Sequence, residues 1–259
     1  MDTQKRTDAQ IYELCFKETD YGFWENSLYT PLQVGSNRTN QNVCQLKDNT
    51  GNNISSLNNF YSETTGTYWI WKNAPKTKYI GQCQYRRRIQ FPEDEDFDLI
   101  FSKYGIIVNN PIRIGISLKY HMELCHPQID TKLLTEIINQ KYPQYMYSWI
   151  QNFVKGNILF YSTSYVLRWE DFEEYCKFLF DTLKYYTEYY NLEDPISLRR
   201  HVSEKLSQAK VRPKNMDIDY QSLIGGFIQE RLASIWILHK FNERQILTRK
   251  FTLFENLNY

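Results

Sequence analysis

Apolar residues in this chain fall into short runs that alternate with longer stretches of helical spacing. Residues 11–16, Ile11-Tyr12-Glu13-Leu14-Cys15-Phe16, read as a first strand behind a polar stretch, residues 1–9, that is expected to fray. Residues 17–26 read as loop. Leu32-Gln33-Val34-Gly35 reads as a second short strand ending in a turn, and residues 36–47 are polar and carry no assignment. Over residues 53–71, Ile54, Leu57, Phe60 and Tyr61 recur at helical spacing. Asn52 or Asn53 can cap that helix by accepting from free amide hydrogens of its first turn, and Gly66 is expected to break it in two.

Residues 78–83 form the next expected strand and residues 97–101 another, followed by a loop with Gly105. Residues 112–121 fit strand or helix equally. Residues 131–141 read as a helix, with Leu133, Leu134, Ile137 and Ile138 on one face and Pro143 closing it. Residues 157–162 suit a buried strand. A long helix follows over residues 169–190, where Phe172, Tyr175, Cys176, Leu179, Phe180 and Leu183 recur every three or four positions. The polar stretch 191–219 reads as an excursion, a mobile loop or lid. Residues 224–241 form the last strong helix, and residues 245–254 alternate as a closing strand.

Strands interleaved with helices imply an α/β fold with a mostly parallel sheet flanked by helices. In such folds ligands bind beyond the carboxyl ends of the strands. Attention therefore falls on residues 48–88, where an aromatic helix end (Tyr68-Trp69-Ile70-Trp71) is stopped by Lys72-Asn73-Ala74-Pro75. The strand behind it delivers Gln84-Tyr85-Arg86-Arg87-Arg88. Arginine suits that place because its planar fork takes two phosphate oxygens at once.

Composition narrows the picture further. At 259 residues the chain could be one large domain or two small ones, it is long enough to bury a real core, and it has no internal repeat or low-complexity linker. The net charge of +1, from 31 basic and 30 acidic side chains, argues against a nucleic-acid binder. Five scattered cysteines without a CxxC pair give no structural zinc motif and suit a reducing, cytoplasmic compartment. No apolar run has spanning length, and the first dozen residues lack the pattern of a signal peptide.

The run NTGNNISSLNNFYSETTGTYWIWKN followed by KYIGQCQYRRR resembles a bacterial family associated with capsular and exopolysaccharide biosynthesis. That family's pattern is Asp-Thr-Gly-Asp-Asn-Ile-Ser, then Glu-Leu-Thr, Tyr-Trp-x-Trp-Lys-Asn and Gly-x-x-His-Tyr-Arg-Arg. The likeness continues through FDLIF, the Tyr-Pro-x-Tyr element, YSTSYVLRWEDFEEYCKFLF and GFIQERL, and so covers nearly the whole chain. Family members are treated as glycosyltransferases, which implies a single GT-A-like (Rossmann-like) domain taking a nucleotide-diphosphate sugar. Three departures stand out. Gln84 replaces the family's His, Asn52 replaces an acidic residue, and Cys15-Phe16-Lys17 stands for Cys-His-Lys. Glutamine cannot take up a proton as imidazole does, so any acid–base or metal role of that His is absent.

GT-A enzymes hold a divalent metal on the donor diphosphate with two acidic residues at a strand end. Here that place offers Gln82, Cys83 and Gln84, then Tyr85 and three arginines, with no clear carboxylate site for Mn or Mg. The expectation is metal-independent donor binding, with Arg86 and Arg87 neutralising the diphosphate beside Gln84 and Tyr85. The competing reading is a solvated or salt-bridged basic loop, since acidic residues 93–98 follow closely. Asp48, Asn53, Ser55, Asn58 and Lys72 are further candidates for donor contacts, with helix capping an equal alternative for Asn53. Trp69, Glu63 and Arg231 are candidates for the acceptor or sugar. Glu230, in the run Gly225-Gly226-Phe227-Ile228-Gln229-Glu230-Arg231, is the candidate catalytic base, against the alternative of an ion pair on a helix face. Asp217 with Asp219, and His121 with His126, are weak metal candidates.

The sequence reading is thus a hexosyltransferase acting from a nucleotide-diphosphate donor, UDP-linked for preference, on a bacterial surface polysaccharide. Galactose in either ring form is the first candidate sugar. The expected acceptor is a glycan or lipid-linked glycan, with peripheral association to the inner-membrane assembly machinery. A catalytically impaired relative that only binds nucleotide or glycan is the alternative, and a nucleic-acid-modifying protein a third reading that neutral charge disfavours.

Overall fold

The computed structural model describes residues 8–18, 28–92, 95–161 and 164–253, with side chains to residue 251. Ten strands are described: β1 (Ala9–Cys15), β2 (Tyr29–Gln33), β3 (Tyr79–Gln84), β4 (Arg87–Ile89), β5 (Ile106–Asn109), β6 (Ile112–Arg113), β7 (Ile158–Leu159), β8 (Tyr165–Arg168), β9 (Ile246–Arg249) and β10 (Phe251–Leu253). The helices are α1 (Asn58–Tyr61), α2 (Thr64–Asn73), α3 (Phe97–Lys103), α4 (Leu118–Cys125), α5 (Thr131–Lys141), α6 (Met146–Ser148), α7 (Trp169–Tyr190), α8 (Pro195–Gln208), α9 (Ile218–Gln221) and α10 (Ile224–Lys240). A π-helical stretch, Trp149–Val154, continues α6.

The sheet grows outward from β3. On one side β3 pairs in parallel with β1, which pairs in parallel with β2. On the other it meets β8 antiparallel, then β5 and β9, which are parallel to each other. At its carboxyl end β3 also turns back into β4, and β4 pairs with β10. Of the eight strands in this sheet, only β4 and β8 run against the rest. The mostly parallel α/β sheet expected from the element pattern is present. A separate ribbon joins β6 to β7.

β3 is buried along its whole length, with β1 and β8 paired on its two edges and α7 packed against it. Helices α7 and α10 pack on the sheet through Phe172, Tyr175, Cys176, Leu179, Ile228, Leu232 and Trp236, all almost fully enclosed. The amphipathic spacing that predicts α5, α7 and α10 is the physical requirement for that layer.

Several boundaries differ from expectation. The helix expected over residues 53–71 breaks at Ser62 (φ 53°, ψ −141°), and Gly66 lies inside α2. Gly66 is small for packing: an added Cβ would lie 2.6 Å from Val34 Cγ1 and 2.8 Å from Leu14 Cδ2. Gly66→Ala is therefore expected to destabilise the fold by about 1–3 kcal/mol through overpacking, although Ala favours a helix by about 1 kcal/mol. Thermal or urea unfolding checks this, and a stabilised variant would show the contact to be loose.

Residues 97–101 form helix α3, not a strand, because the Asp96 side chain accepts from Leu99 N and caps a first turn. The buried run around 158–160 is only a two-residue strand, and Ser162 lies outside the described residues. The polar stretch 191–219 carries α8, capped by Asp194 and buried through Leu198, Val202 and Leu206. The closing strand is two strands, β9 and β10, and Phe254 lies outside the described residues. Residues 1–7 and 19–26 of the expected frayed end and loop also lie outside them, whereas Ala9 already belongs to β1.

Candidate active site

A cleft of about 950 Å³ opens at the carboxyl end of β3. Two groups of elements supply most of its lining, with Ile112, Leu159 and Tyr161 from the β6–β7 ribbon and the residues after it completing it. The first is the β3–β4 turn with the kink before α2, giving Ser62, Glu63, Gln84, Arg86 and Arg87. The second is α4, residues 214–216, α9 and the start of α10, giving His121, Cys125, His126, Tyr220, Phe227, Glu230 and Arg231.

Gln84 ends β3 and joins two charged side chains. Its Nε2 donates to both oxygens of Glu63, and its Oε1 accepts from Arg87 Nη1 at 2.8 Å. The Arg87 guanidinium lies over the Tyr161 ring, 4.8 Å from its centroid, and that of Arg86 lies 5.4 Å from the centroid of Tyr85. Side chains alternate in direction along a strand. Arg87 thus reaches the cleft, while Arg88 points into the core and pairs with Glu13, both side chains having no exposure. The basic run is not a solvated loop. Of the described acidic residues that follow it, Glu95 holds Arg249 at 2.8 Å and Asp98 holds Lys78 at 2.6 Å.

Beneath the kink lies a buried polar ladder. Thr64 donates to Gln229, Gln229 Nε2 donates to Thr67 at 3.4 Å, and Thr67 donates to Gln82 at 2.9 Å. Because each rung is a hydrogen bond between buried side chains, the ladder fixes α2 against α10 and β3 at little desolvation cost. Glu63 is thereby held at the start of α2.

In the second wall Arg231 gathers the site. It donates to Glu230 Oε2 at 2.9 Å, to the Phe227 carbonyl at 3.1 Å, and bonds His121 Nδ1 at 3.1 Å. A guanidinium only donates, so His121 is neutral with its proton on Nε2, 3.6 Å from Cys125 Sγ. Burial, and then Arg231, hold the His121 pKa below its ordinary value. His126 stacks on Phe227 with ring centroids 3.6 Å apart, and its Nδ1 meets Gln221 Oε1 at 3.2 Å. Burial, reinforced by Arg231, pushes the His126 pKa down to about 3.

The other expected site residues lie elsewhere. Asp48 is fully buried and accepts from Gly35 N (2.7 Å), Ser36 N (3.0 Å) and Ser55 Oγ (2.6 Å), which fixes the turn after β2. Asn53 accepts from Ser55 N and starts the 3-10 turn Ser55–Leu57, and Asn58 donates to the Ser62 carbonyl and Thr65. Trp69 is buried against Tyr12, its Nε1 donating to Thr50. Lys72 lies 3.1 Å from the centroid of Trp71, which stacks on Phe180. Tyr85 is buried beside Arg86. None of these seven side chains lines the cleft. Gly225 and Gly226 allow close approach, but to protein: added Cβ atoms would lie 2.9 Å from the Phe60 carbonyl and 2.9 Å from Ser62 Cβ.

The residues do not fit a divalent ion held by paired acidic side chains. Gln82, Cys83 and Gln84 end β3 without a carboxylate, and no cluster of three His, Cys, Asp or Glu among the described residues is arranged to hold a metal. Asp217 caps α9 and Asp219 pairs with Arg199, so the two do not converge. His121 and His126, weak metal candidates by sequence, line the cleft instead as neutral rings. Cys125, Tyr161, Tyr220 and Phe227 join them there, where the sequence raised no expectation of a site. The spacing of four between His121 and Cys125 on a capped helix is the signal that the sequence holds for them.

Fold and cleft together define an α/β protein with a mostly parallel sheet and a cleft at the carboxyl end of its central strand. The structure superposes on the apo structure of WbbM, a bifunctional glycosyltransferase, with a TM-score of 0.70 and 23% identity. The match covers 96% of this chain and 46% of the other, so this chain spans about half of WbbM. Residues 10–207 match the family model described as a domain of unknown function, DUF4422, and the chain belongs to that family. No match was found among the curated proteins. No helix among the described residues is long and apolar enough to cross a membrane.

Proposed function

We propose that this chain is a glycosyltransferase that moves a hexose from a nucleotide-diphosphate donor, UDP-linked for preference, to a bacterial surface glycan. The observation that carries this reading is the placement of Arg86 and Arg87 at the carboxyl end of the central strand, in one cleft with Glu230. Charge builds on the departing diphosphate as the glycosidic bond breaks, and preorganised guanidinium groups stabilise it without a metal. Glu230 takes the proton of the attacking hydroxyl, with Arg231 fixing its orientation. Glu63, bridged by Gln84 to Arg87, sets the position of that guanidinium and accepts from donor hydroxyls. This domain works in the cytoplasm, on a glycan or lipid-linked glycan, peripheral to the membrane assembly machinery.

One observation favours a second reading, a relative that binds nucleotide or glycan without turnover. Gln84, where the resembling sequences carry His, cannot exchange a proton and has its amide committed on both sides.

Thermal stabilisation by UDP and UDP-hexoses in EDTA tests the first step, since a ligand specific to the folded state raises its stability. Stabilisation is expected in the native chain and is expected to fall by at least about tenfold in apparent affinity in Arg87→Ala, the loss of a charge-assisted contact. Hydrolysis or transfer of the same donors separates the enzyme from the binder. Absence of any nucleotide effect would defeat the transferase reading and leave the second only its glycan-binding form.

A further inference from the structure

The second wall carries three rings that the transfer chemistry leaves without a task. His126 stacks on Phe227, and Tyr220 lies 5.2 Å from Phe227 between centroids. All three line the cleft, and Tyr220 is 40% exposed. Phe227 and Glu230 are three residues apart on α10 and so occupy the same helix face.

The cluster is built, not incidental. Gln221, wholly buried, donates to the Cys125 carbonyl at 3.2 Å and to the Asn215 carbonyl at 2.6 Å while its Oε1 faces His126 Nδ1. One amide thus joins α4, the segment before α9, and α9 itself. With Nε2 of Gln221 spent on two carbonyls, its Oε1 must accept, so His126 carries its proton on Nδ1. Its other ring nitrogen is then an acceptor.

The polar groups around the rings select the ligand. Beside the rings stand the Glu230 carboxylate, tied to Arg231, and the side chains of Lys214 and Asn215; the carboxylate suits hydroxyl donors, while the cations and the amide suit hydroxyl acceptors. A uracil edge has one N–H donor between two carbonyl acceptors and a phosphate offers acceptors alone, whereas each sugar hydroxyl both donates and accepts. A sugar ring offers an apolar C–H face to the aromatic rings and donating hydroxyls at its rim. The cleft volume of about 950 Å³ is at the upper end of the range for a single-ligand site, leaving room for a second sugar beside a donor.

We propose that Phe227, backed by the stacked His126, and Tyr220 form the acceptor subsite, meeting the apolar face of a pyranose or furanose ring and turning one of its hydroxyls toward Glu230. The assignment of this sugar as acceptor rests on the transferase reading above. The stacking platform itself does not.

Saturation-transfer NMR with methyl galactopyranoside, galactofuranoside and glucopyranoside, each with and without UDP, tests it. At least one glycoside is expected to receive saturation on the C–H protons of one ring face. Phe227→Leu, which keeps apolar volume, is expected to raise the apparent Kd about three- to tenfold. Phe227→Tyr is expected to keep it, and UDP stabilisation is expected to stay unchanged in both variants. Equal glycoside binding in Phe227→Leu, or no glycoside binding to the native chain, overturns the subsite. Saturation of the uracil protons of UDP that disappears in Phe227→Leu overturns it too, by making the platform a base site. Glycoside binding by a chain that binds no UDP keeps the saccharide platform and overturns its role as an acceptor site.

Discussion

Glu13→Ala is expected to lower the stability of the fold by about 3–5 kcal/mol, a large share of the stability of a typical domain. Glu13 on β1 and Arg88 on β4 form an ion pair whose side chains have no solvent exposure. Removing one partner leaves the other's charge in a medium that cannot solvate it. Arg88→Ala is expected to be similarly damaging. The double replacement Glu13→Leu with Arg88→Met removes both charges and is expected to recover most of the loss, because a well-packed apolar pair avoids the desolvation cost altogether. Urea unfolding of the two single variants and the double variant measures all three. Single-variant losses below about 1 kcal/mol would mean that water reaches the pair. The pair also matters for the cleft, since burial of Arg88 on one face of β4 sends Arg87 to the other. A double variant that folds normally but binds UDP less well would report this orienting role.

Acid lability is the second large expectation, and it centres on His126. Its folded pKa of about 3 lies well below the unfolded value near 6.5, with burial the leading cause and Arg231 the next. The unfolded chain therefore binds the proton first as pH falls. Stability is full above about pH 6.5 and falls by about 1.4 kcal/mol per pH unit down to about pH 3. By pH 4.5 the loss from this residue alone is about 2–3 kcal/mol. His121, His201 and His239 are shifted in the same direction, burial being the first cause for each, and they add to the slope. Carboxylates with lowered pKa, Asp98, Asp130 and Asp194, act only below about pH 5, so the histidine window can be read separately. Unfolding midpoints from pH 7.5 to 4.5 are expected to fall steeply, and the slope is expected to flatten in His126→Gln, which keeps a donor for Gln221. An unchanged slope in that variant would place the acid-sensitive group elsewhere.

The two expectations differ in how far the sequence foretells them. Arg86, Arg87 and Arg88 look alike in a run, and nothing in their order shows that Arg88 is core. Its partner Glu13 is 75 positions away, and strand alternation decides only which residues share a face, not which face is wet. His126 is equally opaque. Its depressed pKa comes from enclosure by Phe227 and Arg231, about a hundred residues further on. Local signals fared better where local physics decides. The long helix α7 has the bounds that its apolar spacing gives, and Pro143 follows α5 as expected. They failed where a cap outweighed composition, as at Asp96 before α3, and where a glycine that close packing requires was read as a helix break, as at Gly66.

The candidate site divides along the same line. Gln84, Arg86 and Arg87 were legible because a basic turn after a buried strand has one sensible place in an α/β fold, and Glu230 with Arg231 because they follow a glycine pair at a helix start. Asp48, Asn53, Ser55 and Asn58 share that legibility as polar residues near a helix start, but such side chains satisfy local backbone amides as readily as ligands. They do so here, around Gly35 and Ser62.

By itself, then, the sequence determined the class of the fold, the order of its main elements and the strand end at which charge collects. Those follow from periodicity and turn chemistry, which act over a few residues. The tertiary structure alone decided which arginine is buried, which tryptophans are core and which rings and histidines share the cleft with Glu230. Those depend on enclosure by residues distant in sequence, and enclosure sets both the polarity and the proton affinity of a side chain.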